Sequence, residues 1–317
     1  MNFELVLDNL TNPALLFFAL GVLAVRLKSD LEIPPNSSKF ISLYLLFSIG
    51  FKGGQELAHS QFSWTIIWSI FFGVAVACVI PLYTFYILKR RLSIADAGAI
   101  AAAYGSVSAV TFVTAVSFLE IQQITFGGHM VAVMALMEAP AIIIGVILIR
   151  FYSGNQTEVR LRTVIKHSFT NGSVLMIVGS LVIGWLASDQ QAQGIKPFTT
   201  DIFKGFLAIF LLDMGVVSGR KLEDFFKSGK FITVFALLIP LLNGILVAWL
   251  SGMITTDVGN RFIFAVLAAS ASYIAVPAAM KIAAPQANPG IFLPMTLVVT
   301  FPFNITLGMP IYLSIIN

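Results

Sequence analysis

An apolar run long enough to cross a bilayer is interrupted at its centre. Residues 101–114 read Ala-Ala-Ala-Tyr-Gly-Ser-Val-Ser-Ala-Val-Thr-Phe-Val-Thr, so Gly105, Ser106, Ser108 and Thr111 crowd the middle of a hydrophobic segment. Glycine costs backbone entropy in a helix, and Ser and Thr offer the backbone competing hydrogen bonds. Broken backbone at membrane depth is tolerated only where protein or a polar cavity surrounds it. The second half of the chain does the same at residues 267–280, Leu-Ala-Ala-Ser-Ala-Ser-Tyr-Ile-Ala-Val-Pro-Ala-Ala-Met. Two interrupted spans in corresponding places of two halves are the pattern of a transporter binding site.

The rest of the chain supplies a membrane setting. It is 58% hydrophobic and 11% charged, where a soluble domain carries about 25% charged residues. Ten apolar spans are expected, at about 13–27, 39–57, 63–88, 93–118, 127–150, 172–188, 200–220, 230–251, 258–281 and 289–315. The first has Glu4 and Asp8 ahead of it rather than a basic region, and no small-residue cleavage site, so it reads as a span and not a signal peptide. Cys78 is the single cysteine and lies in an apolar run, which rules out a disulfide within the chain. Assigning each Lys and Arg to its nearest loop puts 15 of the 19 on one side, including Arg160 and Lys227. That side is the expected cytoplasmic face of a plasma membrane, with both termini extracytoplasmic.

The halves repeat. Gly50, Gly54 and Leu57 correspond to Gly215, Gly219 and Leu222, each 165 residues on. Asp96 and Gly98 open the fourth span as Asp257 and Gly259 open the ninth; Pro140 and Gly145 are echoed by Pro302 and Gly308. An odd number of spans per half turns the second half upside down relative to the first. The expected fold is therefore an all-α polytopic membrane protein, with ten transmembrane helices in two inverted five-helix repeats and two interrupted, crossing helices. Residues 1–153 form the first repeat, 154–171 a cytoplasmic linker and 172–317 the second repeat. Glycines four apart fall on one helix face, which predicts close helix packing for Gly50 with Gly54 and for Gly215 with Gly219.

A helix that restarts after a break points unpaired N–H groups and its positive dipole end at the membrane centre, which favours an anion. Gly105, Ser106, Val107 and Ser108 would supply the donors in the first half, and Ser270, Ala271, Ser272 and Tyr273 in the second. Glu138 lies mid-way along the fifth span, where a carboxylate is costly and functional by default. Pro140 releases a carbonyl one turn earlier. With Thr111 and Asn304, and Thr300 nearby, Glu138 makes an oxygen-rich set suited to Na⁺ or to a proton. Asp213 in the seventh span reads as a weaker version of the same thing, or as a structural pair with an interfacial base. Lys52 is expected to snorkel outward.

Other chemistries find little footing. His59, His129 and His167 lack metal-ligand spacing, and no glycine-rich phosphate loop suggests ATP-driven transport. An intramembrane serine protease would need Ser106 or Ser108 beside His129, which sits at a span end. No enzymatic activity is expected. Three alternatives to an anion–Na⁺ symporter stay open: an organic-anion symporter of the same build, a Na⁺/H⁺ exchanger using Glu138 and Asp213, and a non-transporting membrane receptor.

Along nearly its whole length the chain resembles the cyanobacterial-type sodium-dependent bicarbonate transporter family. The matching stretches are Tyr104 to Thr111, Glu138-Ala-Pro-Ala141, Leu267 to Ser272, and Pro285-Gln-Ala-Asn-Pro289. The resemblance implies bicarbonate uptake driven by Na⁺, a homotrimer, and regulation by a cytoplasmic PII-like protein. Where the family pattern reads Ser-Ser-Ser-Asp-x-Ser-Gly-Pro, this chain has Tyr273 for the acidic residue and Val276 for the glycine. A carboxylate is lost there, and a hydroxyl able to bond a larger carboxylate is gained. The central linker is also shorter than in the cyanobacterial members.

Overall fold

The computed structural model describes residues 3–61, 63–153, 161–226 and 229–317. Arg160, Lys227, residues 154–160 of the expected linker, and the side chains of Glu4, Asp8 and His167 lie outside that description. The described residues are all-helical, with no strand among them. In chain order the helices are α1 (Phe3–Leu10), α2 (Pro13–Arg26), α3 (Pro35–His59), α4 (Trp64–Leu88), α5 (Ile94–Gly105), α6 (Ala109–Ile121) and α7 (His129–Ser153). They continue as α8 (Leu161–Phe169), α9 (Gly172–Leu186), α10 (Asp189–Lys196), α11 (Phe203–Phe226), α12 (Lys230–Leu250), α13 (Val258–Ala269) and α14 (Ala275–Ala283). The last, α15 (Pro289–Ile316), is one continuous helical run.

Each expected span falls on helix, but among the described residues six segments are both long and apolar enough to cross a bilayer: Trp64–Leu88, Ile94–Ile121, His129–Ser153, Asp189–Glu223, Lys230–Met253 and Pro289–Ile316. Of the others, α2 and α9 have 14 and 15 residues, roughly 21–22 Å against a hydrocarbon core of ~30 Å. The ninth span is divided between α13 and α14, and α3 carries Lys39, Lys52 and Glu56. The linker, expected as a polar connection, contains the amphipathic α8, whose Val164 is buried.

Helix starts follow local chemistry. Asn12 caps α2 through Ala14 N–H at 2.9 Å, with Pro13 in the first turn where its missing N–H costs nothing. Ser93 caps α5 through Asp96 N–H, and Asp257 caps α13 through Asn260 N–H at 2.7 Å. The prolines of α15 widen it into π turns at Met295–Thr300 and Asn304–Gly308. Pro310 has no N–H to return to the preceding turn. Asn9 of α1 replaces it, donating to the Ile305 and Thr306 carbonyls at 2.8 and 2.9 Å.

Two packed groups result. In one, α2 lies against α11, α3 against α9, and α11 touches α3. Glycine makes this possible. Gly50 and Gly54 of α3 rest on the α9 backbone at Ile177 and Leu181, and a Cβ on Gly54 would overlap the Leu181 carbonyl. Gly215 of α11 meets the α2 backbone at Phe18 in the same way, and Gly219 rests on the Val25 side chain. Small residues let helix backbones approach where lipid supplies no hydrophobic drive. In the other group α4, α5 and α7 pack on one another, as do α12, α13 and α15, and α6 leans on α13.

Candidate functional site

The α5–α6 segment breaks at Gly105. Ser106 adopts an extended backbone (φ −82°, ψ 166°), and Ser108 restarts the helix by accepting from Thr111 N–H at 3.2 Å. The α13–α14 segment breaks at Ala269, where Ser270 takes nearly the same backbone (φ −79°, ψ 167°). Gly105 lies against the Pro81 ring of α4, so no side chain fits there. The membrane-length window in α5–α6 is 94% buried within the protein, against 28% for α4. The first break therefore faces protein, the setting broken backbone needs.

The two breaks touch. Ser108 N–H donates to Ser270 Oγ at 3.0 Å, and Ser272 N–H donates to the Ala103 carbonyl at 2.8 Å. Two of the N–H groups expected to face an anion are thus committed to joining the breaks. The helical restart in the second half also comes later than Ser270–Tyr273, at Ala275. The remaining first-turn N–H groups belong to Ala109 and Val110 in α6 and to Ala275 and Val276 in α14, none with an intrahelical acceptor. Pro277 follows in the first turn, where it displaces no hydrogen bond.

A small cavity of about 10 Å³ lies between these helix starts, lined by Val107, Ser108, Ala109, Glu138, Ser173, Ser272, Tyr273, Ile274 and Ala275. That is roughly the smallest space that admits a water. Glu138, buried on α7, shares its wall, and Ser106 Oγ donates to the Glu138 main-chain carbonyl at 3.3 Å. The expected residues Val107, Ser108, Ser272, Tyr273 and Glu138 are therefore brought together around one space. Gly105, Ser106, Ser270 and Ala271 stand behind them as the breaks themselves.

Thr111 and Asn304 are buried but do not line this cavity. Asn304 donates to the Ala269 carbonyl at 2.7 Å and accepts from Tyr312 at 3.0 Å, which ties α15 to the end of α13. Thr300 bonds the Tyr104 hydroxyl at 2.8 Å and the Ala236 carbonyl at 2.9 Å. Ser173 is a site residue that no sequence pattern marked, and Ala109, Ile274 and Ala275 lie inside the interrupted stretches but beyond the residues expected to bind. Ser173 comes from α9, and nothing in its local sequence says that α9 ends at the breaks. His129 begins α7, nine residues or roughly 13 Å along the helix from Glu138. No group of three or more His, Cys, Asp or Glu side chains among the described residues could hold a metal.

Two larger cavities lie at opposite ends of α3. The first, about 830 Å³, is bordered by Pro35, Ser38, Lys39 and Ser42 of α3, Asn171 to Ser173, Asp213, Met214 and Arg220 of α11, and Tyr273, Ile274 and Ala278. Ser173, Tyr273 and Ile274 line both this vestibule and the small cavity, so they are the wall between them. The second, about 260 Å³, lies among Lys52 and Glu56 of α3, Val116 and Glu120 of α6, and residues 123–126. Here Lys52 does not snorkel away. Its ammonium is 3.1 Å from Glu120, which Lys204 approaches to 3.7 Å. Asp213 makes no direct ion pair among the described residues, although the Arg220 charge two turns along α11 acts on it through space, and the Ser38 hydroxyl donates to it.

Comparison with known proteins adds one match. The family model described as the Na⁺-dependent bicarbonate transporter superfamily covers residues 13–317. No curated protein matches the chain.

Proposed function

As the chain belongs to the Na⁺-dependent bicarbonate transporter superfamily, a family of multi-pass membrane transporters, we propose that it imports a small anion, bicarbonate first, by symport with Na⁺. Ser108 and Ser272, with the first-turn N–H groups of α6 and α14, would hold the anion, and Ser106 and Ser270 would hold the breaks in place behind them. Glu138 would hold Na⁺, with Thr111 buried in the first turn of α6 and Asn304 fixing α15 beside the second break. An anion lowers the cost of desolvating a cation beside it, and the reverse, so each favours the other's binding.

One observation carries this reading. Two helix starts meet at a buried space through the Ser108–Ser270 and Ser272–Ala103 hydrogen bonds, with the Glu138 carboxylate in the wall. Helix starts attract anions, and a buried carboxylate attracts a cation. The matched backbone at Ser106 and Ser270, and the exchange of partners between α3–α9 and α11–α2, support ten spans in inverted repeats, residues 1–153 and 172–317 about the 154–171 linker. The basic bias supports a plasma membrane location with the vestibule facing the cytoplasm and both termini outside. The trimer and the PII-like regulator rest on the family resemblance alone.

Labelled bicarbonate uptake into proteoliposomes, with and without an inward Na⁺ gradient, tests the proposal. Uptake that needs the gradient is expected, and uptake indifferent to Na⁺ overturns it. A second reading, an organic-anion symporter, is favoured by the Tyr273 hydroxyl, which lies 3.7 Å from the Met214 sulfur at the vestibule wall. Competition by small carboxylates in the same assay separates the two.

A further inference from the structure

We propose that Asp213, with Ser38 and Ser42, forms a second monovalent-cation site on the vestibule wall, distinct from Glu138. The proposal rests on the Na⁺-coupled reading above and adds a station on the cation's route. Asp213 is 5% exposed and borders the 830 Å³ cavity. The Ser38 hydroxyl donates to its Oδ2. Ser42 lies one turn further along the same face of α3 and borders the same cavity.

A buried carboxylate with one hydroxyl donor keeps most of its charge uncompensated, which is costly unless a cation is near. The basic groups on this wall offset that charge only in part. Arg220 forms its ion pair with Glu32 at 3.0 Å and reaches Asp213 only as a longer-range charge. Lys39 borders the cavity but is solvent-exposed, and among the described residues it forms no ion pair with Asp213. Ser38 can go on donating to the carboxylate while its lone pairs face a cation, since a hydroxyl is donor and acceptor at once. Carboxylate and hydroxyl oxygens suit a hard cation, with vestibule water completing the shell. The place on the route is given by the next residue: Met214 receives the Tyr273 hydroxyl, and Tyr273 is part of the wall between vestibule and small cavity. A cation leaving Glu138 for the vestibule passes Asp213.

The test is equilibrium binding of radioactive Na⁺ to the purified full-length protein, with choline as the balancing ion. Wild type is expected to bind two Na⁺ per chain, and Asp213→Asn and Glu138→Gln one each. Asn keeps an acceptor for Ser38, so the α3–α11 tie survives. Ser42→Ala, which breaks no side-chain hydrogen bond among the described residues, should weaken one of the two sites by about tenfold, and it carries the test if Asp213→Asn does not fold. Wild-type stoichiometry in Asp213→Asn, or unchanged affinities in Ser42→Ala, overturns the second site. A wild type holding one Na⁺, lost in Glu138→Gln alone, overturns it while leaving the proposed function intact. No Na⁺ bound by wild type defeats the coupled reading itself.

Discussion

At the scale of residues, burial makes a few polar groups decisive. Glu138 has no side-chain partner in the described hydrogen bonds and faces the space between the breaks. Glu138→Gln keeps its shape and removes its charge. The Na⁺ concentration for half-maximal uptake should rise by about tenfold or more, equivalent to ~1.4 kcal/mol, with a smaller change in anion affinity; an unchanged Na⁺ titration sinks the assignment. Ser108 has two tasks, capping α6 and bordering the cavity. Ser108→Ala should lower stability by about 1 kcal/mol through the lost cap and weaken anion protection against melting. Tyr273→Phe removes only a hydroxyl. Bicarbonate uptake should survive it, whereas uptake of any larger carboxylate that bonds the phenol should fall.

Among the helices, close approach is the controlling feature. Gly54 has its Cα against the α9 backbone, and no side chain can be accommodated without separating α3 from α9. Gly54→Leu should destabilise the protein by roughly 1–3 kcal/mol or more, as overpacking does, and lower its melting temperature in detergent. Gly179→Ala, inside α9, has open space around it and should leave melting unchanged or raise it slightly, by about 0.5–1 kcal/mol of relieved backbone entropy. A Gly54→Leu protein that melts like wild type would mean that this contact is not held in solution. The breaks show the complementary logic. Gly105 ends α5 where Pro81 crowds it, and Ser108 restarts the chain three residues later with its own cap. The interruption is encoded locally by residues whose preferences oppose a continuous helix.

For the molecule as a whole, the two cavities at opposite ends of α3 are unequal. The larger reaches Tyr273 and the wall of the small site; the smaller is bridged by Lys52 and Lys204 converging on Glu120. Partly exposed ion pairs contribute about 0.2–1 kcal/mol, enough to bias such an opening without locking it. In a Cys78→Ser background, Val116→Cys places a thiol at a buried lining position of the smaller cavity. Adding Glu120→Gln should speed its labelling by an impermeant maleimide by up to about fivefold. Equal labelling rates would show that the ion cluster does not hold this side closed.

Periodic and compositional signals act along the chain, and they were legible without coordinates. Apolar runs marked the helices, the Gly-Ser-x-Ser and Ser-x-Ser clusters marked both breaks, and glycines four apart marked the close faces of α3 and α11. Each is a local property: helix length against bilayer thickness, backbone preference, or a bare helix face. The partners across space were not legible. That Ser108 N–H finds Ser270, that Ser173 of α9 closes the site, and that Asp213 is bonded by Ser38 depend on helices far apart in sequence meeting at one depth. A side chain's pattern records that it must be buried. Only packing decides what it is buried against, because any helix of similar face and size satisfies the same hydrophobic requirement.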